Sequence, residues 1–314
     1  MCPLQISVII CTHNPRPDYL SRVLEALKAQ TVPKDRWELL LVDNGSKEPL
    51  ANRWDLSWHR EARHVREEEL GLTPARLRGI RDSKGNLLVF VDDDNELVPD
   101  YLETAAAIER AWPMLGAWAG QSIPEFETRP SEEVRPYLTL VGDGRFDRDR
   151  WSNLRDPEAT PSGVGMCVRR EVATQYLRLA ASDPRRGRLG RCGASLISGE
   201  DTDLAFTACD LGFGTGRFHK LRVTHLISSR RLELSYLLPL REAMSFSSII
   251  LDSFRNPDAA KVSAGRCLIN YLRAYTSKGL KRRFSMASLR GQAAARRMLR
   301  RQTVPQHPPA VELA

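Results

Sequence analysis

Short apolar runs alternate with stretches of helical periodicity along the first part of the chain. Ile6–Cys11 is a β-branched apolar run typical of a core strand, and a polar, proline-broken loop follows it. Apolar residues then recur at spacings of three and four over 20–27, which predicts a helix beginning near Pro17. Glu38–Val42 predicts the next strand. This order favours a parallel pair of strands, and ligands of parallel sheets bind at the carboxyl ends of the strands.

A third apolar run, Leu87–Val91, leads directly into three carboxylates. The run is typical of a strand buried on both faces. On an extended chain Asp92 and Asp94 would point to one side and Asp93 to the other. Two carboxylates on one side repel each other unless a cation or a proton lies between them, and oxygen ligands suit Mg²⁺ or Mn²⁺. The alternative is an acidic loop in solvent with no chemical role.

The later segments carry weaker signals. Thr73 followed by Pro74 predicts a helix start, where Arg76 would add positive charge to an end that already attracts anions. Ser198–Asp201 opens another helix, although the helix dipole alone favours acidic residues there. The other predictions are a helix over about 99–111, strands over 117–122 and 217–224, an irregular excursion over 124–161 and a mobile basic loop over 182–193.

The composition changes from Arg230 onward, where strand signals disappear. The pattern predicts an amphipathic helix over 236–254 and a basic amphipathic helix over 278–301. Such a basic helix either lies on an anionic membrane or exposes its basic face to solvent while packing on the main domain. The proline-rich tail over 305–314 is expected to be disordered. We therefore predict two domains, 1–228 and 229–314.

The composition predicts the charge of a binding partner and the redox state of the cysteines. The chain has 314 residues, a net charge of +8 and a pI near 9.4, which favours an anionic partner. No signal peptide and no run of about 18 apolar residues is found, so the sequence predicts a cytoplasmic protein without a membrane span. The six cysteines form no CxxC pair and are expected to be reduced packing residues.

Five motifs follow one another along the chain: 7–14, 41–46, Ala75-Arg76 ahead of Gly85-Asn86, 91–94, and 199–201. In this order and spacing they resemble the family 2 glycosyltransferases, over roughly residues 6–225. The chain departs from the family at His13, where Tyr is frequent, and at Leu77, where Asn often follows the Arg. The resemblance implies an α/β fold of the GT-A type, with a Rossmann-like, mostly parallel sheet, helices on both faces and a C-terminal helical region.

The resemblance also implies roles on the donor side. Residues that would bind the nucleotide sugar are Thr12, Asn14, Asp43, Arg76, Asp92 and Asp93. Asp43 would accept a hydrogen bond from the base, and Arg76 would approach the base or the diphosphate. Asp92 and Asp94 form a D-x-D motif, with Asp94 the direct ligand of Mn²⁺ or Mg²⁺, Asp92 near the ribose or the metal, and His225 a further ligand. The metal would neutralise the leaving diphosphate.

On the acceptor side, the resemblance implies a single displacement that inverts the anomeric centre and needs one base. That base would be Asp201, with Glu200 the second candidate. Gly163 and Gly165 fall where the acceptor-side loop of the family lies, and small residues there permit close approach of the backbone.

The expected activity is therefore that of a metal-dependent, hexosyltransferase-type enzyme of cell-envelope polysaccharide synthesis. It would use a nucleotide sugar, with UDP as the expected nucleotide, and a glycan or lipid-linked acceptor. Peripheral contact with the inner membrane face through the C-terminal region is expected, and binding of nucleic acid is not. A nucleotidyltransferase, a catalytically degenerate binder and a nucleic-acid-binding protein are the alternatives. The first lacks its Gly-rich N-terminal loop, the second conflicts with the intact acidic motifs, and the third lacks aromatic residues among its basic ones.

Overall fold

The computed structural model describes residues 5–303, and its N-terminal half contains a parallel sheet. Its strands are β1 (Ile6–Thr12), β2 (Trp37–Asn44), β3 (Ala62–Glu67) and β4 (Leu87–Asp92). They lie in the order β3-β2-β1-β4, and every neighbouring pair is parallel. Helices α1 (Pro17–Lys28) and α2 (Leu72–Asp82) connect these strands. The three strands predicted from apolar runs are thereby confirmed, and the edge strand β3 was missed.

The sheet continues beyond β4 in mixed directions. The further strands are β5 (Asn95–Leu97), β6 (Leu115–Phe126), β7 (Arg150–Ser152), β8 (Cys167–Arg169) and β9 (Gly214–Ile227). Strand β8 is antiparallel to β4 and β6, β6 is parallel to β9, and β5 and β7 are antiparallel to β9. The helices of this half are α3 (Tyr101–Ala111), α4 (Arg170–Ser182), α5 (Pro184–Gly187) and α6 (Glu200–Asp210). The predicted α/β class is confirmed, with a sheet that is half parallel.

Apolar residues of the central strands alternate between two hydrophobic clusters, one on each face of the sheet. Val8 and Leu39 belong to one cluster, whereas Ile9, Leu40 and Phe90 belong to the other. Both clusters are closed to solvent, as the apolar runs predict for strands covered by helices on both sides. The rigid strand ends that result are the platform of the site described below.

The chain divides into two compact units, and the second is helical. The first unit runs to Ser195 and includes Glu200–Glu233, and the second comprises Leu196–Gly199 and the chain from Leu234 onward. The second unit contains α7 (Leu234–Ser253), α8 (Ala264–Thr276) and α9 (Gly279–Thr303). None of the helices in the described part of the chain is long and apolar enough to cross a membrane.

Helices α7 and α9 pack closely against each other. A Cβ on Gly291 of α9 would lie 2.0 Å from the carbonyl oxygen of Glu242 in α7, so only glycine permits this approach. Phe284 and Leu299 of α9 are buried. The apolar stripe predicted over 278–301 therefore serves packing within this unit, and α8 was missed.

Several sequence expectations need correction. Helix α2 begins at Leu72 with Gly71 as its N-cap, so Thr73 and Pro74 lie inside the first turn and the predicted start was wrong. The basic loop expected over 182–193 contains the short helix α5, in which Arg186 is buried and pairs with Asp203 at 2.5 Å.

Five cysteines are free, as expected: Cys11, Cys167, Cys192, Cys209 and Cys267. Cys2 and the tail over 305–314 lie outside the described residues.

Gly120 allows β6 to approach β9. The register of this strand pair shifts between Ala119 and Gln121, and a Cβ on Gly120 would lie 2.0 Å from the carbonyl oxygen of Leu221. We expect Gly120→Ala to lower the free energy of unfolding by about 1–3 kcal/mol, because the two backbones must separate. Denaturant unfolding measures the difference. Gly187→Ala is the control, since nothing lies within 4 Å of its Cβ position, and equal stability of both variants would contradict the interpretation.

Candidate active site at the carboxyl ends of the strands

The carboxyl ends of β1, β2 and β4 bring the predicted donor-side residues together. Thr12 is paired with Asp43 across β1 and β2, and Cys11 is paired with Asp92 across β1 and β4. Because these strands are parallel and in register, their polar terminal residues share one edge of the sheet. This is the arrangement expected from the positions of Thr12, Asp43 and Asp92 in the sequence.

The three consecutive aspartates each contact a different partner. Strand β4 ends at Asp92, and Asp93 and Asp94 form a turn. Asp92 accepts a hydrogen bond from Arg76, Asp93 from the Thr12 hydroxyl, and Asp94 from Arg231. The predicted alternation of these side chains assumed an extended chain, whereas the strand ends at Asp92.

Arg76 joins the end of β4 to the start of α6. Its Nη1 donates to Glu200 Oε1 at 2.8 Å and its Nη2 donates to Asp92 Oδ1 at 3.1 Å. The Arg76 side chain is only 5% exposed, and its charge faces two carboxylates inside the protein. The positive charge predicted at the start of α2 is therefore paired within the protein.

Asp201 is anchored to the loop that carries Gly163. Its Oδ2 accepts a hydrogen bond from the Gly163 backbone N–H at 2.7 Å, and its Oδ1 accepts one from the Thr202 N–H at 2.7 Å. A Cβ on Gly163 would lie 2.9 Å from Asp201 Oδ2 and 3.1 Å from Arg76 Nη2. The absence of a side chain at Gly163 thus lets its backbone reach Asp201 beside the Arg76 ion pair.

Gly165, the second predicted loop glycine, has a different structural role. It adopts a positive φ of 65°, which favours glycine, and its carbonyl oxygen accepts a hydrogen bond from the Tyr101 hydroxyl at 2.6 Å. A Cβ there would lie 2.5 Å from the Tyr101 hydroxyl oxygen. Gly165 therefore fixes the loop against α3.

Asp94 and His225 face each other with an arginine between them. His225 Nε2 lies 3.4 Å from Asp94 Oδ2. Arg231 Nη1 lies 2.8 Å from the same Asp94 oxygen and 3.1 Å from His225 Nε2. His225 lies inside β9, two residues before its end, where it is paired with Asn95 of β5. The guanidinium of Arg231 thus occupies the position at which a carboxylate and an imidazole converge.

The closeness of the three carboxylates separates their pKa values. Burial, followed by the charge of Asp94, raises the pKa of Asp93 to about 7. Burial acts on Asp94 in the same direction, but the opposing charges of His225 and Arg231 outweigh it and hold the pKa of Asp94 at about 2. Burial also raises the pKa of Asp92, against the lowering effect of Arg76. Among the three, Asp94 is therefore the carboxylate most strongly held in its charged form.

Asp43 holds the loop that follows β2. Asp43 accepts hydrogen bonds from the Ser46 and Leu50 backbone N–H groups at 2.9 and 3.1 Å and from Arg66 at 2.8 Å. Burial raises the pKa of Asp43, yet these hydrogen bonds reverse the shift and leave it below its usual value.

Asn14 links the loop after β1 to the loop after β2. It has a positive φ of 48°; its N–H donates to the Ser46 hydroxyl, and its side-chain oxygen accepts from the Lys47 N–H.

Two side chains of the site were missed by sequence reasoning. Arg231 follows the strand that carries His225, and the adjacent Arg230-Arg231 pair was the available signal. Arg66, which pairs with Asp43, lies at the end of the edge strand β3, which carried too little apolar character to be recognised. Both are cations that compensate predicted carboxylates.

A metal ion would find few protein ligands in this geometry. Across residues 5–303, no group of three or more His, Cys, Asp or Glu side chains is placed to hold a metal. Asp94 and His225 converge as a pair, while Asp92 is held by Arg76. A divalent cation here would therefore depend on oxygen atoms of a bound substrate for the rest of its coordination.

Comparison with known proteins identifies the family of the chain. The model of the glycosyl transferase family 2 matches residues 7–177, more than half of the chain. A glucosyl-dolichyl phosphate glucuronosyltransferase of Haloferax volcanii is 26% identical over 192 residues, which cover 60% of this chain and 58% of that protein. The glycosyltransferase AglE of the same organism is 33% identical over 101 residues, 31% of this chain and 33% of that protein. The chain thus spans only part of the length of these relatives.

The fold is also similar to that of a solved glycosyltransferase structure. Residues 1–349 of TarS from S. aureus match with a TM-score of 0.51 and 14% identity, over 95% of this chain and 92% of that one. This likeness confirms the GT-A fold. The chain belongs to glycosyl transferase family 2, as its motifs predicted.

The raised pKa of Asp93 predicts a pH-dependent stability. Between about pH 4 and pH 7 the folded protein keeps a proton on Asp93 that the unfolded chain, with a pKa near 3.9, has released. The contribution of Asp93 to the free energy of unfolding is therefore complete below about pH 4 and is lost as the pH rises through about 7. Between these pH values the free energy of unfolding of Asp93→Asn, measured with denaturant, should decline less than that of the wild type. Asp35→Asn, at an exposed position, is the control, and parallel pH curves for all three proteins would refute the assignment.

Proposed function

We propose that the protein transfers a sugar from a nucleotide sugar to a hydroxyl group of a glycan or lipid-linked acceptor, with inversion at the anomeric carbon. The observation that carries the proposal is the Arg76 bridge. It joins Asp92, at the end of β4, to Glu200, the residue before the candidate base Asp201. A donor held at the strand ends and an acceptor held at the first turn of α6 would thus meet across one fixed charge.

Asp201 is the base in this proposal. Its carboxylate is held by two backbone N–H groups, which orient it while leaving lone pairs for an acceptor hydroxyl. The acceptor oxygen forms the new bond to the anomeric carbon, and its proton goes to Asp201. The bond from that carbon to the diphosphate oxygen breaks, and its electron pair leaves with the nucleoside diphosphate. Glu200 is engaged by Arg76, which favours Asp201 over Glu200 as the base.

The donor would lie along the ends of the parallel strands. Asp43 and Asn14 fix the loops after β2 and β1, and we propose that these loops receive the nucleoside, with UDP the first nucleotide to test. Thr12 and Asp93, joined by their hydrogen bond, would line the same pocket. Gly163 and Gly165 would belong to the acceptor side. A pocket made from hydrogen-bonded loops on rigid strands is pre-organised for a polar ligand.

A divalent cation fits the donor set of Asp94 and His225. One carboxylate oxygen and one imidazole nitrogen suit Mn²⁺ or Mg²⁺ when phosphate oxygens complete the coordination. When bound, the cation would neutralise charge on the leaving diphosphate. Arg231 now contacts both ligands, so we propose that it moves aside and pairs with the diphosphate instead. Asp92 would remain with Arg76 and contribute its charge from the adjacent position.

The acceptor is proposed to be lipid-linked. The printed name of the glucuronosyltransferase relative says that it acts on a glucosyl-dolichyl phosphate, which supports an acceptor carried on a lipid phosphate. Such an acceptor would bring this enzyme to the inner face of a membrane, as the sequence predicts. An acceptor assay with lipid-phosphate-linked and free sugars would distinguish this class from soluble glycans.

Asp201→Asn is expected to lower the rate of sugar transfer at least a hundredfold, the range of a general base contribution, while nucleotide affinity stays within about twofold. Turnover and calorimetric titration with UDP measure the two properties. Asp82→Asn, at the far end of α2, provides a control that should retain full activity. Wild-type turnover in Asp201→Asn would remove this residue as the base.

Arg231→Gln is expected to bind Mn²⁺ about tenfold more tightly than the wild type, because a guanidinium and a metal cation cannot share the Asp94 and His225 ligands. Titration of free Mn²⁺ by electron paramagnetic resonance measures this affinity without turnover. Arg230→Gln removes the same charge from the exposed neighbouring residue and should change affinity by less than about twofold. Equal affinities for both variants would exclude competition at Arg231.

A further inference from the structure

Helix α8 exposes an unusual amount of apolar surface. Five of its thirteen residues are large apolar or aromatic side chains that are between 50% and 58% exposed, namely Leu268, Ile269, Tyr271, Leu272 and Tyr275. Ala274 is the single buried residue of this helix. The side chains that a helix ordinarily packs inside a protein here face solvent.

These side chains form one continuous face. Leu268, Tyr271, Leu272 and Tyr275 follow the spacing of three and four residues that places them on the same side of a helix, and Ile269 widens this side. Arg266 and Arg273 lie along one border of the face by the same periodicity. Arg282 of α9 stacks on the Tyr275 ring, with 4.4 Å from its guanidinium carbon to the ring centroid. We call this set, Leu268 to Tyr275 with its flanking arginines, the α8 face.

Charge is strongly segregated toward the part of the chain that carries this face. Residues 234–314 contain 14 Lys and Arg against 4 Asp and Glu, whereas residues 1–233 contain 33 against 35. The basic excess of the whole protein therefore comes from the helical unit. A partner of this unit is expected to be anionic.

We propose that the α8 face binds the surface of an anionic lipid bilayer, lying in the interface with its apolar side chains among the upper acyl chains and its arginines at the lipid phosphates. This geometry uses both properties of the face, apolar area and positive charge. Tyr271 and Tyr275 have the ring and hydroxyl that suit the headgroup level. The proposal goes beyond the transfer reaction, since none of its residues belongs to the candidate active site.

Two other occupants fit the face less well. A second copy of the chain would bring a helical unit of the same positive charge against this one, which disfavours association through this surface. A nucleic acid would satisfy the charge but leave Leu268, Ile269 and Leu272 without an apolar environment. An anionic bilayer is the partner class that complements both.

Helix α9 is a weaker candidate for the docking element than α8. The basic segment over 278–301 has the composition of an interfacial helix, but Phe284, Ala287 and Leu299 are buried and Gly291 closes it onto α7. Its apolar stripe would become available only if this packing were broken. The α8 face is already open.

Vesicle flotation of the full chain tests the proposal. We expect the wild type to float with vesicles of phosphatidylcholine containing 30% phosphatidylglycerol and to remain unbound with pure phosphatidylcholine. Replacing two exposed leucines together, Leu268→Ser with Leu272→Ser, should lower the partition coefficient about tenfold or more, because each leucine loses the apolar environment it gains on binding. Leu154→Ser is the matched control, since Leu154 is 71% exposed in the first unit and should leave binding unchanged.

A second pair of variants separates charge from apolar contact and protects against misfolding of the first. Arg266→Gln with Arg273→Gln should weaken binding to the anionic vesicles by several-fold and reduce its dependence on salt. Sedimentation equilibrium of the wild type is run in parallel. Failure of the wild type to float, equal flotation of the leucine double variant, or a dimer that the leucine variant dissociates would each overturn the proposal.

Discussion

Repulsion among three consecutive carboxylates is the constraint around which this protein is built. Asp92, Asp93 and Asp94 stand within one turn at the end of a buried strand, where water screens their charges only in part. Each carboxylate has its own partner. Asp92 contacts Arg76 of α2, and Asp93 contacts the Thr12 hydroxyl of β1. Asp94 contacts Arg231 and His225, near the end of the first unit. Four distant parts of the chain are thereby fixed relative to one another, which is a condition for a defined substrate pocket.

The acidic residues of the candidate site could be predicted from the sequence more readily than the cations that pair with them. Strands β1, β2 and β4 are buried on both faces, so their apolar runs are visible without alternation, and polar residues after them must share a sheet edge. Strands β5 and β8 have three residues each, too few for any pattern. Arg231 could not be assigned to Asp94 because the two are 137 residues apart, and only the tertiary fold brings them together.

For the helices, the sequence pattern did not predict which apolar faces are buried or where α2 begins. A helix with one apolar side has the same periodicity whether that side is buried or exposed, so the pattern of 278–301 could not reveal that its apolar stripe packs on α7. Conversely, α8 offers a stronger amphipathic pattern that lies largely in solvent. The start of α2 was misplaced because Gly71, with a φ of 138°, took the capping position that Thr73 would ordinarily fill. Local propensity lost to the backbone geometry of the preceding turn in this case.

The long separation between the aspartates and their cations has a consequence for the making of the protein. As the chain is synthesised, residues 92–94 emerge well before Arg231. Glu200, the partner of Arg76, is synthesised 124 residues after it. The early strands β1 to β4 have the contacts to pair soon after synthesis, yet their acidic edge stays uncompensated until β9 and the residues after it arrive. Nascent chains interrupted before that point would carry an exposed acidic edge that chaperones and proteases could recognise. The candidate active site is thus the last part of the first unit to be completed, and it forms only after the whole unit has been synthesised.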